Sequence, residues 1–231
     1  MSAIKWDVAG KRYFETGVSK GVLYPQKTDG TYDTGVAWYG LISVSESPDG
    51  AEPNDLYADN IKYASLRSAE TFGATIEAYT FPDEFYKCDG SYMVVPGVYI
   101  GQQSRQPFGF CYRTEVGSDT LAFDSDDGYK LHIIYNATVS PSDRSYETVN
   151  DSPDATTLSW EMTTTPVDVS GKKPTSTIVI DTTKLDAKGK TNLATLEAKL
   201  YGTDADSDAG TQATEPELPT PDQVIAIMSA T

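Results

Sequence analysis

The stretch TLSWEMT, residues 157–163, alternates without a break: Leu158, Trp160 and Met162 fall on one side, Thr157, Ser159, Glu161 and Thr163 on the other. A period of two places one set of side chains on a core face and the other toward solvent or a partner, which is the pattern of a half-buried β-strand. Outward from this stretch the pattern recurs at Phe108, Phe110 and Tyr112 and at Leu131, Ile133 and Tyr135. Val36, Trp38, Ile42 and Val44 repeat it around Gly40, where the missing side chain predicts a bulge or a close backbone approach. Residues 61–66, 74–81 and 177–180 are further predicted strands. Asp29-Gly30, Asp49-Gly50, Asp89-Gly90, Pro96-Gly97, Asp127-Gly128 and Asp151-Ser152-Pro153 favour chain reversal between the runs. Short strands separated in this way predict a mainly β sandwich or barrel.

Three short helices interrupt the strands. Pro82-Asp83-Glu84 opens one, with proline at the first position and acids at the positive end of the dipole, and Gly90 ends it beyond Cys88. Residues 192–201 put Leu193, Leu196 and Leu200 on one stripe, with Thr191 as the expected N-cap and Gly202 as the stop. Thr220-Pro221-Asp222-Gln223 has capping-box spacing ahead of Val224, Ile227 and Met228. Residues 203–219, rich in Asp, Ala, Gly, Thr and Pro, are too polar to form a core. The expected organisation is therefore a β domain over 1–202, a flexible acidic linker over 203–219 and a capped helix over 220–231. A helix that short is unstable alone, so it must dock on its own domain or on a neighbour.

The 231 residues suffice for one large β domain, and their formal net charge of -16 leaves no basic patch for nucleic acid. Net charge speaks to solubility and association rather than fold, and an acidic surface repels phosphates. Cys88 and Cys111 are too few for a disulfide scaffold, so folding under reducing conditions is expected. Residues 1–11 carry no apolar core, and neither a signal peptide nor a membrane span is expected.

Chemistry-bearing motifs are weak. Gly17-Val18-Ser19-Lys20-Gly21 fits the nucleophile-elbow pattern around Ser19, but Val22-Leu23-Tyr24-Pro25 continues as strand where a helix is required, and the only base available is His132. His132 lies on the face opposite Leu131 and Ile133, where a solvated or interface imidazole is expected. One histidine and two distant cysteines cannot make an ordinary zinc site. Asp124, Asp126, Asp127 and Gly128 resemble a calcium loop whose ligand spacing fails. Asn136-Ala137-Thr138 and Asn150-Asp151-Ser152 fit the glycosylation acceptor pattern, which means little without a secretory route. No catalytic, cofactor or metal residue is assigned, and binding or assembly is favoured over an enzyme.

The block ESPDGAEPNDLYADNIKYASLRSAETFGATIEAYTFPDEFYKCDGS from Glu46 is followed by PGVYIGQQSRQPFGFCYRT, by GYKLHIIYNATVSPSDRSYETVNDSPDATTLSWEMTTTPV and by KPTSTIVIDTTK. Together, over roughly residues 5–201, these resemble the major tail (tail tube) proteins of long non-contractile-tailed, siphovirus-type phages of Gram-positive bacteria. The resemblance implies two packed antiparallel sheets with a flanking helix at residues 82–88, and no cofactor. It implies a virion protein assembled in the host cytoplasm, six copies to a ring, with rings stacked around a tape-measure protein and ended by tail terminator and distal tail proteins. DNA would pass through the lumen unbound during ejection. Six copies carry roughly -96 in formal charge, and an inward-facing share would repel phosphates. The polar connections at 25–35 and 45–57 are the expected ring-to-ring contacts. The alternative is a secreted β-sandwich adhesin or glycan-binding module that stacks sugars on Tyr92 and Tyr99.

Overall fold

The computed structural model of the chain describes residues 3–50, 52–120, 128–148, 151, 154–205 and 212–230. Strand β1 (Tyr13–Pro25) leads to β2 (Val36–Trp38) and then to the run β3 (Leu41–Glu46), β4 (Asp49–Gly50), β5 (Pro53–Ala58), β6 (Ile61–Arg67), β7 (Glu70–Thr71) and β8 (Gly73–Ala78). A 3-10 turn (Asp83–Phe85) and helix α1 (Tyr86–Asp89) follow, then β9 (Tyr92–Val95), β10 (Val98–Ile100), β11 (Phe108–Ser118), β12 (Tyr129–Val139), β13 (Leu158–Thr164) and β14 (Thr177–Asp181). Helices α2 (Ala187–Tyr201) and α3 (Pro221–Met228) close the chain.

The fold is mainly β and antiparallel. Its large sheet runs β2-β1-β11-β12-β13-β8-β3, and β14 pairs with the first half of β12. β12 is shared between two layers: residues 130–134 pair with β14, residues 137–139 with β13. The sheet curls until β3 lies against β1, where a Cβ on Gly21 would meet Leu41 Cδ1 at 2.3 Å. Only glycine permits that approach.

Curling creates an inside and an outside, and alternation assigns residues to each. Leu23, Phe108, Phe110, Tyr112, Ile134, Trp160 and Met162 face inward, and Phe85 and Cys88 of the short helix plug the interior. Trp38 and Phe85 meet there at 4.6 Å between ring centroids, Phe85 and Trp160 at 5.2 Å. Val22, Tyr24, Cys111, Leu131, Ile133 and Tyr135 face outward, beneath Leu193, Leu196 and Leu200 of α2. Each such buried apolar side chain contributes about 1.5–3 kcal/mol. Arg113 adds a polar tie: it pairs with Glu197 of α2, its guanidinium carbon lies 4.1 Å from the Tyr129 ring centroid, and Tyr129 donates to Glu197 at 2.7 Å.

Several sequence expectations need revision. Residues 36–44 do not form one strand: the chain breaks at Tyr39-Gly40, β2 pairing with β1 and β3 with β8. Helix α2 starts five residues before the expected position, because Asp186 caps it by accepting from the Gly189 N–H at 2.7 Å. Thr191 lies inside α2 and donates to the Ala187 carbonyl. Within the segment read as linker, Glu217 N–H donates to the Lys199 carbonyl, Thr203 pairs with Thr214, and Leu218 is buried at 4% exposure. The capping box at Thr220 forms as expected, and Val224 joins the outer core. The C-terminal helix thus docks on its own domain.

Candidate assembly surface

The most conspicuous surface feature is built from β3 through β8. Asp49 opposite Thr71, Pro53 opposite Arg67 and Leu56 opposite Ala64 keep the register already set by Glu46 opposite Ala74 in the large sheet. The six strands are therefore the two legs of one continuous hairpin. Its base, Leu41–Glu46 and Gly73–Ala78, belongs to the large sheet, while among the described residues β4 to β7 pair only with each other. At ~3.3 Å per residue, the twelve positions from Ser47 to Ala58 project ~40 Å. Asp59 and Asn60, both at positive φ (52° and 62°), make the tight reversal, a conformation that Asp and Asn tolerate. Tyr57 and Tyr63 beside the tip are 70% and 74% exposed, and Ile61 is exposed with them. Within 45–57, residues 45–46, 49–50 and 53–57 are therefore strand, in line with this arm, rather than a loop. The connection over 25–35 folds back instead: Lys27 N–H donates to the Thr31 carbonyl, and Tyr32 accepts from the Asn136 N–H at 3.0 Å.

A second hairpin, β9–β10, turns at Pro96-Gly97 and carries no charge from Ser91 to Gly101. Tyr92, Met93, Val94, Val95, Val98, Tyr99 and Ile100 are all exposed. Of the two tyrosines named for sugar stacking, Tyr99 already stacks on Tyr86 at 4.1 Å, whereas Tyr92 borders a pocket of about 410 Å³. That pocket is walled by Pro107 and Tyr92 and rimmed by Lys27, Lys87 and Arg105. An uncharged apolar run flanking Pro-Gly was the available sequence signal for this hairpin.

At the root of the arm a polar cluster replaces the apolar core. His132 is 7% exposed and stacks on Tyr112 with ring centroids 4.6 Å apart. The solvated or interface imidazole expected there is thus a buried one. Tyr112 donates to Glu46 Oε1 at 2.7 Å, and His132 Nδ1 lies 3.2 Å from the same oxygen. Thr114 gives its only proton to Glu15 at 2.5 Å, so toward His132 Nε2, 3.0 Å away, it can only accept. The His132 hydrogen bond holds the Glu46 carboxyl below its ordinary range, partial burial opposes the shift, and the Tyr112 hydroxyl reinforces it. For Glu15, partial burial raises the value, but bonds from Lys130 and Thr114 outweigh it and the net shift is downward.

The remaining motifs are not brought together. Ser19 lies within β1 opposite Arg113, with no helix following it. Cys88 and Cys111 are free thiols, each pushed up to about 12 by burial. Asp124, Asp126, Asp127 and Asn150 lie outside the described residues. Gly128 accepts from the Val116 N–H, and Asn136 sits at positive φ within β12.

No family model and no curated protein sequence matches the chain. Among solved structures it is similar to a chain of the anti-feeding prophage baseplate, at 8% identity and a TM-score of 0.36, covering 79% of this chain and 100% of that one. It is similar to a chain of the extended sheath/tube terminator of an extracellular contractile injection system, at 10% identity and a TM-score of 0.32, covering 77% and 99%. A chain of the sheath-tube complex of such a system gives 10% identity and a TM-score of 0.30, covering 77% and 94%. At such distances the role has to be argued from this chain's own residues.

Proposed function

We propose that this protein is a structural tail-tube subunit of a siphovirus-type phage, whose copies close into rings, six by the sequence resemblance, and stack into the conduit for DNA. The observation that carries the reading is the arm over residues 47–72: two strands with exposed aromatics and free edges on both sides, reaching ~40 Å beyond any core that could stabilise them. An isolated two-stranded ribbon is at best marginally stable in water, and an open edge invites aggregation unless another copy covers it. The edge strands β2 and β14, each hydrogen-bonded to one neighbouring strand among the described residues, supply edges for closure within a ring. The acid excess suits a lumen that passes DNA without holding it. Tape-measure, terminator and distal tail proteins are the further partners this role requires.

Negative-stain imaging and sedimentation over a concentration series test the reading. Rings or hollow tubes are expected from the full chain, and stacking is expected to vanish when residues 48–71 are replaced by a short turn. A monomer at every concentration that binds glycans on an array would overturn it in favour of the sugar-binding alternative.

A further inference from the structure

The arm must be received somewhere, and the surface offers one place with matching chemistry. Between Ser47 and Phe72 the arm holds Asp49, Glu52, Asp55, Asp59 and Glu70 against Lys62 and Arg67, an excess of acid. Asp55 is engaged by Lys62 within the arm at 2.7 Å, which leaves Asp59 at the tip, between the exposed Tyr57 and Tyr63. In a chain with nearly twice as many acids as bases, the pocket beneath the β9–β10 hairpin gathers Lys27, Lys87 and Arg105 around an apolar wall. Lys27 lies 3.7 Å from Asp33, a loose pair that leaves its ammonium available, whereas Arg105 lies 3.8 Å from Asp89 and donates to the Val139 carbonyl at 3.1 Å, which fixes it at the rim.

The two features cannot meet within one molecule. Glu46, at the arm's root, shares His132 with Glu15 near the start of β1, whereas Gln26 and Lys27 line the pocket just past the end of β1. Arm and pocket thus occupy opposite ends of a 13-residue strand. An arm directed away from the body at one end finds its receiver on the next copy, head to tail.

We infer that the pocket walled by Tyr92 and Pro107 and rimmed by Lys27, Lys87 and Arg105 is the docking site for the arm tip of a second copy of this chain. Tyr57 or Tyr63 enters the apolar space, which has the scale of one large side chain and its neighbours, and Asp59 meets the cationic rim. An aromatic anchor in a pocket with a charged rim is the arrangement that concentrates binding energy at protein interfaces. The assignment rests on the assembly reading above and adds to it the receiving residues and their polarity.

Charge exchange tests it. Lys27→Glu with Lys87→Glu alters only the pocket, and Asp59→Lys only the tip; all three positions are exposed, so circular dichroism should be unchanged. Each variant alone is expected to yield at least ten-fold less sedimentable polymer than the natural chain at equal concentration, and an equimolar mixture to recover it, since each variant then supplies what the other's altered feature needs. Natural yields from either variant alone, or no recovery on mixing, would overturn the docking site while the tube reading stood. A photo-crosslinking residue in place of Tyr57 separates the two ideas. Cross-links to the peptide containing Lys87 or Arg105 of another copy support the docking site even if the natural chain forms no tubes, and cross-links elsewhere, or none between copies, refute it.

Discussion

His132 shows what alternation can and cannot decide at a single position. The period of two places it opposite Leu131 and Ile133, and it does lie there. Solvation was the wrong inference, because a strand with one buried face usually wets the other, and β12 is buried on both: helices cover one side and the curled sheet closes over the other. Nothing local in KLHIIY reveals that second layer. Glu15 and Glu46, far apart in sequence, become legible as partners only once β1, β3 and β12 converge. Their depressed carboxyl values carry a pH consequence. Stability contributed by a carboxylate whose folded value lies below its unfolded one is present above the unfolded value, 4.5 for Glu46, and is lost as pH falls through the lower folded value. Glu46→Gln keeps an acceptor for Tyr112 but does not titrate. It is expected to lower the melting temperature at neutral pH and to flatten its decline below pH 4.5. Thermal melts across that range check this, and an unchanged acid limb would remove Glu46 from the account.

Among the elements, those that bury an apolar stripe were legible, and of the projecting arm only residues 61–66 read as a strand, which β6 bears out. Residues 158–162 read as a strand because Trp160 and Met162 face a core. The leg PNDLYA, residues 53–58, carries Pro, Asn and Asp, which are rare in strands, and has no core to enforce an apolar face. Its pairing with β6 comes from the Asp59-Asn60 reversal and from register inherited through β4 and β7. The C-terminal segment fails in the opposite sense. Residues 203–219 are polar on average, yet Leu218 drops onto Gly109 of β11, where a Cβ would stand 2.1 Å from Leu218 Cδ2, and Tyr135 donates to the Pro219 carbonyl at 3.0 Å. One buried leucine outweighs a polar average. Leu218→Ala is expected to destabilise the chain by about 3 kcal/mol. It should also speed proteolysis between α2 and α3 while leaving the β signal in circular dichroism intact. Unchanged protection of that segment would mean that other contacts hold it.

For the whole molecule, the decisive property is polarity. In the proposed docking, an arm at one end and a pocket at the other make a heterologous contact, and a heterologous contact along an axis propagates instead of closing on itself. In the proposed tube, ring closure within a layer and propagation between layers are separate processes, the first using sheet edges and the second the arm. A copy without residues 48–71 keeps its pocket and its sheet edges, so it enters a growing end by receiving an arm but presents none to the next layer. It should act as a terminator. Mixed with the natural chain at about one part in ten, it is expected to shorten tubes several-fold while leaving their diameter unchanged, because diameter belongs to the ring and length to the stack. Length distributions from negative-stain images decide the point. Tubes of undiminished length containing the armless copy would show that stacking proceeds without the arm, and a changed diameter would place the arm within the ring.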